Sequence, residues 1–269
     1  MKALSKIYNT IIFTFLYAPI VVLIIYSFND SKNRVQWGGF TLNWYRDLFS
    51  NELILESLMV TLQIAVLAAL ISTVIGTMAA VGIFNMNGRL RRAMESLNNI
   101  PMVNPEIVTG ISLMLLFVFV SNRIFGSEDV SLGFGTLLIA HTTFNLPYVI
   151  LSVAPKIRQI DKFLPEAAQD LGCTPLASFF KVELPCILPG VVSGFIMAFT
   201  LSLDDFVISL FNGGDVFKTL PVLIYNYTKK PVKPDIYALF TILVLVILCL
   251  LMLSNAIASK DERKEKKKK

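Results

Sequence analysis

Asp204 and Asp205 stand side by side in an otherwise apolar stretch, Leu201–Leu210. A carboxylate inside a hydrocarbon layer costs a few kcal/mol or more, so it must face a cavity or a partner. Two adjacent carboxylates in a low dielectric also repel each other. A cation with spaced ammonium groups would relieve both penalties, whereas an inorganic anion would worsen them. Thr200 lies four residues before Asp204, and Ser202 and Ser209 flank Asp205 at i−3 and i+4. A polar flank is therefore expected along this helix, with Ser202 in the candidate path. Glu106 is another acid in an apolar run, with Thr109 and Gly110 on its face and Pro101 and Pro105 before it. It reads either as a second station for the cation, or as a salt bridge to a partner subunit or a cap after Pro105. Trp44 offers either a cation–π contact of about 0.5–2 kcal/mol or an interfacial aromatic anchor. His141, near Thr142, Thr143 and Asn145, reads as a hydrogen-bonded packing residue. No nucleophile–base pair is visible, so no catalytic residue is assigned and the chain is not read as an enzyme. One histidine excludes a multi-histidine zinc site, and Cys173, Cys186 and Cys249 are too few for a disulfide framework or a four-cysteine site. They read as unpaired thiols, and no metal or cofactor is expected in this chain.

The elements that hold these residues follow from composition. Of 269 residues, 55% are hydrophobic and 16% charged, with mean hydropathy +0.66. Soluble domains carry about 25% charged residues, so lipid must cover part of this chain. A bilayer core of about 30 Å takes around 20 apolar residues per helix. Six stretches qualify, roughly 7–28, 57–84, 101–121, 135–154, 189–211 and 236–258, so the expected fold is all-α and polytopic. The first run is too long for a signal-peptide core and has no small-residue cleavage site after it. With the N-terminus inside, sixteen of the 24 Lys and Arg face the cytoplasm, including Arg89, Arg91 and Arg92. That bias puts both termini inside a cell membrane. Much of it comes from Lys260–Lys269, with seven basic and three acidic residues. The remaining near-neutral fold is no nucleic-acid binder. The tail reads as a solvated segment beside anionic lipid, each cation contributing at most about 1 kcal/mol. The chain thus divides into 1–56 (first helix and external loop), 57–258 (a transmembrane core with a cytoplasmic loop at 155–188) and 259–269 (a basic tail).

Ala68, Ser72, Gly76 and Ala80 recur every four residues in the second stretch, as do Gly190, Gly194 and Ala198 in the fifth. Small residues at i, i+4 let helix backbones approach closely in lipid. Either a packed pathway with a second subunit or ordinary packing within this chain would use them.

The 155–188 loop carries the most specific pattern. Pro165 suits a first helical turn, and Glu166 beside it complements the helix dipole. Ala167 and Ala168 favour helix, and Gly172 falls where a C-cap needs positive φ. Thr174-Pro175 opens a second short helix, expected to end before Pro185. The result is a helix–glycine–helix elbow with an exposed alanine patch. Glu166-Ala167-Ala168, three residues, Gly172, nine residues and Val182-Glu183-Leu184-Pro185 resemble the EAA loop of ABC-importer permease subunits, with Val182 where the family pattern has isoleucine. Tyr17-Ala18-Pro19, Ser27-Phe28-Asn29, Gly39-Phe40-Thr41, Trp44-Tyr45 and Ser202-Leu203-Asp204-Asp205 resemble the spermidine/putrescine permeases of the PotC type.

That resemblance implies a type I (MetI-like) ABC-importer transmembrane fold with Glu166, Ala167, Ala168 and Gly172 as the positions coupled to an ATPase. It implies a homologous second permease, an ATPase dimer that binds ATP and Mg, and an extracytoplasmic substrate-binding protein. No G-x-x-x-x-G-K-[ST] loop is present, as expected of a subunit that binds no nucleotide. The implied cargo is a polyamine; thiamine, an opine or iron(III) are alternatives within the class. An ion-coupled secondary carrier would use the Asp pair as a relay, but it needs no such elbow, and no clear inverted repeat is visible.

Overall fold

The computed structural model describes residues 2–31, 36–125, 132–161, 163–214, 217–229, 236–242, 244–246, 248, 249 and 252. The basic tail 259–269 and much of the expected sixth stretch lie outside them. The described residues fall into two compact units, Met1–Glu56 with Leu223–Leu250, and one built on Ser57–Val222.

In the first unit, α1 (Lys2–Tyr26) keeps its apolar side chains exposed, Phe15 most of all, as a helix solvated by lipid must. Beyond it the chain doubles back through an antiparallel bridge between Asn29 and Phe40. Asn29 organises this turn. Its side chain donates to Gln36 O and accepts from the Gly38 and Ser31 amides. The short helix α2 (Asn43–Ser50) follows.

The second unit carries the candidate site. α3 (Glu52–Phe84) spans 33 residues, about 50 Å at 1.5 Å per residue, and outreaches the hydrocarbon layer. α4 (Gly88–Val103) then forms a separate polar helix. The expected third span at 101–121 starts instead at α5 (Glu106–Val120). Pro105 explains the shift. A proline disfavours helical geometry in the residue before it, and Asn104 is extended at ψ 135°. A π turn over Ser121–Phe125 ends this span. α6 (Phe134–Gln159) is the central helix.

Both small-residue stripes meet α6. A Cβ on Gly76 would come within 2.7 Å of Val149 Cγ1, and one on Gly190 within 3.0 Å of Ser152 O. Gly194 also faces Val149. These stripes therefore serve packing within the chain, with Ala69, Ala80, Val153 and Ile187 completing a buried cluster.

The elbow follows as α7 (Leu164–Asp170) and α8 (Pro175–Ser178). The second element runs on past Pro185 instead of ending before it, a departure from the sequence expectation. It widens into a π turn, Phe179–Glu183, and runs on as α9 (Leu184–Asp204). In a regular α-turn the ring of Pro185 would collide with the carbonyl four residues back, and the wider turn relieves that clash. The fifth span does not remain one helix either. α9 ends at Asp204, Asp205 is extended at ψ 124°, and α10 (Val207–Asn212) restarts beyond it. α11 (Leu220–Thr228) and α12 (Ile236–Val246) complete the described helices. Among the described residues, five helical segments are long and apolar enough to cross a membrane, and α12 is a shorter apolar helix in the expected sixth stretch.

Candidate functional site

The break in the fifth span separates its two acids. Asp205 turns inward and is 8% exposed. Its carboxylate accepts the backbone N–H of Ile208 at 3.3 Å, that of Ser209 at 2.8 Å and the Ser209 hydroxyl at 3.0 Å. It thus satisfies amides that the first turn of α10 would leave unpaired. His141 Nε2 lies 3.0 Å from Ser209 Oγ and 3.5 Å from Asp205 Oδ2. One turn further along α6, Asn145 Nδ2 donates to Ser202 Oγ at 2.7 Å. Ser202 is buried and sits in this internal network, with Ser209 on a new helix rather than on a flank continuous with Asp204.

Asp204 points the other way and is exposed. Glu106, the first residue of α5, is exposed as well, and its charge reaches both Asp204 and the half-buried Tyr148 of α6. The reason lies one turn further along α5. Gly110 packs against α10, where a Cβ would meet Phe211 Cδ2 at 3.2 Å, and its carbonyl accepts from Asn212 Nδ2 at 3.2 Å. Docking Gly110 against α10 brings Glu106, about 6 Å back along the helix axis, to the level of Asp204. The charge of Glu106 thus acts on Asp204, and the two acids stand near one another on different helices. Asn104 Nδ2 donates to Thr109 Oγ1 at 3.2 Å and secures the joint that aims Glu106.

Tyr148, packed on Phe144 with ring centroids 5.5 Å apart, adds an aromatic face within reach of the Glu106 charge. Its place in a long apolar helix carried no signal in the sequence. Trp44 belongs to the first unit, where its indole N–H donates to Asn29 O at 2.7 Å and ties α2 to the turn. Asp204, Asp205, Ser202 and Glu106 all belong to the second unit.

At the elbow, Gly172 has φ +91° and open space around its Cβ position. The amides of Gly172 and Cys173 close α7 by bonding Gln169 O and Ala168 O. Thr174 caps α8 by accepting the Ala177 amide, and Ser178 Oγ donates to Pro165 O, clamping the two arms. Glu166 and Ala167 are exposed, but Ala168 is buried, so the alanine patch is only half open. Leu171 (89% exposed), Leu176, Phe163 and Phe180 supply most of the exposed apolar surface. An apolar rim thus surrounds the hydrogen-bonded elbow.

Residues 72–264 match the family model described as binding-protein-dependent transport system inner membrane component. The chain is 36% identical over 258 residues to the spermidine/putrescine transport system permease protein PotC of Haemophilus influenzae, covering 96% of this chain and 97% of that one. It is 41% identical over 233 residues to the putrescine transport system permease protein PotI of Escherichia coli, covering 86% and 82%. In fold it is similar to a bacterial ABC transporter that imports alginate, with TM-score 0.75 at 16% identity over 96% and 95% of the two chains. The MetNI methionine ABC transporter is a further fold match, with TM-score 0.58 at 22% identity over 78% and 94%. On these matches, and on the elbow that carries the family's sequence pattern, this chain belongs to the family of binding-protein-dependent transport system inner membrane components.

Proposed function

We propose that the chain is the permease subunit of an ATP-driven importer that carries polyamines into the cytoplasm. The juxtaposition of Asp204 and Glu106 carries the reading. Two exposed acids from different helices repel each other, and a flexible dication satisfies both at once. Tyr148 would add a cation–π face. The polyamine permeases among the relatives support this cargo over thiamine, an opine or iron(III). Asp205 and Ser202 shape the path from behind, and Trp44 holds the external turn.

The elbow at Glu166, Ala167, Ala168 and Gly172 docks on a separate ATPase, which binds ATP and Mg and performs the hydrolysis. A second homologous permease completes the path, a binding protein delivers cargo outside, and both termini lie in the cytoplasm. Closure of the ATPase dimer would move the elbow and open the path outward, and hydrolysis would return it inward.

Uptake of labelled putrescine and spermidine into proteoliposomes holding the whole transporter tests this reading. Asp204→Asn and Glu106→Gln should each raise KM about tenfold, which corresponds to ~1.4 kcal/mol of lost binding. Wild-type KM in both variants would remove the polyamine assignment. A wild-type chain that does not copurify with the ATPase would remove the importer assignment.

A further inference from the structure

Glu95 accepts from two arginines that reach it from different directions. Arg91 Nε, one turn back on α4, is 3.0 Å from Glu95 Oε1, and Arg158 Nη2, near the end of α6, is 2.8 Å from the same oxygen. Only the second contact joins two helices. Arg91 also lies 4.5 Å over the Phe84 ring, at the end of α3. A cavity of about 110 Å³ lies under this cluster, with Ala154, Leu151 and Asn98 in its walls. Asn98 adds one long hydrogen bond to Pro147 O, at 3.4 Å.

The pair sits at a junction in the chain. Two residues after Arg158, Ile160 leaves the helix, and the elbow helix α7 starts at Leu164. At its other end α4 runs to Val103, and the Asn104–Pro105 joint leads into Glu106. We propose that Glu95 and Arg158 are positioning residues that transmit elbow movement through α4 to Glu106, so that ATPase closure shifts Glu106 relative to Asp204. The inference rests on the importer reading above. An exposed ion pair adds little to fold stability but is strong enough to bias two arrangements of the same helices. The short interhelical contact, the cavity beneath it and the covalent route at both ends fit a strut better than a stabilising bridge.

The test uses the complete transporter in proteoliposomes, with labelled putrescine transported per ATP hydrolysed as the readout. In Glu95→Gln and in Arg158→Gln this ratio should fall about fivefold, while ATPase copurification and hydrolysis stay within twofold of wild type. The double neutral variant should be no worse than either single one. The exchange Glu95→Arg with Arg158→Glu should recover more than half of the lost ratio, because it restores the interhelical pair while placing a like charge one turn from Arg91. Unchanged ratios in both single variants, additive losses, or loss of ATPase binding with the ratio would each overturn the strut. If the wild-type chain fails to recruit the ATPase, the importer reading falls and the strut with it. A normal wild type with unchanged variants removes the strut alone.

Discussion

Asp205 receives both the backbone N–H and the side-chain hydroxyl of Ser209, at 2.8 and 3.0 Å, across the break between α9 and α10. The same carboxylate that caps α10 therefore fixes where its neighbour points, and the two acids have different duties. Replacing Asp205 leaves buried donors unpaired, at about 1–3 kcal/mol. Asp205→Asn should lower the thermal midpoint of the detergent-purified protein by several degrees, whereas Asp204→Asn should leave it within a degree and act on uptake. A thermal shift measurement on both variants checks the division, and equal midpoints would contradict it.

Gly76 leaves no room beside Val149. A methyl group there would stand 2.7 Å from Val149 Cγ1, so Gly76→Ala should destabilise the chain by about 1–3 kcal/mol through overpacking. Adding Val149→Ala frees that volume and should recover more than half of the loss. Denaturation of the single and double variants reads this directly. No recovery would place the strain elsewhere.

Gly172 turns the elbow at φ +91° with nothing crowding it. Its need is conformational, not steric, so Gly172→Ala pays about 1–2 kcal/mol for the left-handed backbone. Gly172→Asn should cost less, because asparagine tolerates that region better. ATPase affinity should follow the order Gly, Asn, Ala, and the thermal midpoint should fall by a few degrees in the same order. A binding titration against the purified ATPase settles the order.

Glu95 is held below the usual carboxylate range, first by its hydrogen bond from Arg91 and then by that from Arg158. A lowered folded-state pKa means that its contribution is present at neutral pH and is lost only as pH falls through that lowered value, below about 4.3. For an exposed cluster the contribution is about 0–1 kcal/mol. Between pH 6 and 8 the transport ratio of wild type, divided by that of Glu95→Gln, should therefore stay constant. A slope in that range would show that another group governs the contact.

The chain's hydropathy alone determined that helices cross a membrane, because each span must satisfy its own backbone within about 20 residues. Caps and breakers likewise made the elbow legible: Pro165, Gly172 and Thr174 act on amides two to four residues away, and each behaves as its local chemistry requires. Pro185 does not end its helix because a π turn absorbs it, whereas Pro105 caps α5 and so starts that helix at Glu106, later than the expected stretch at 101–121. The inward turn of Asp205, the meeting of Glu106 with Asp204, and the reach of Arg158 to Glu95 across 63 residues were settled only by tertiary structure. Each depends on how helices distant in sequence dock at Gly110, Gly76 and Gly190, and the relative depth and rotation of packed helices are properties of their contacts rather than of any one segment.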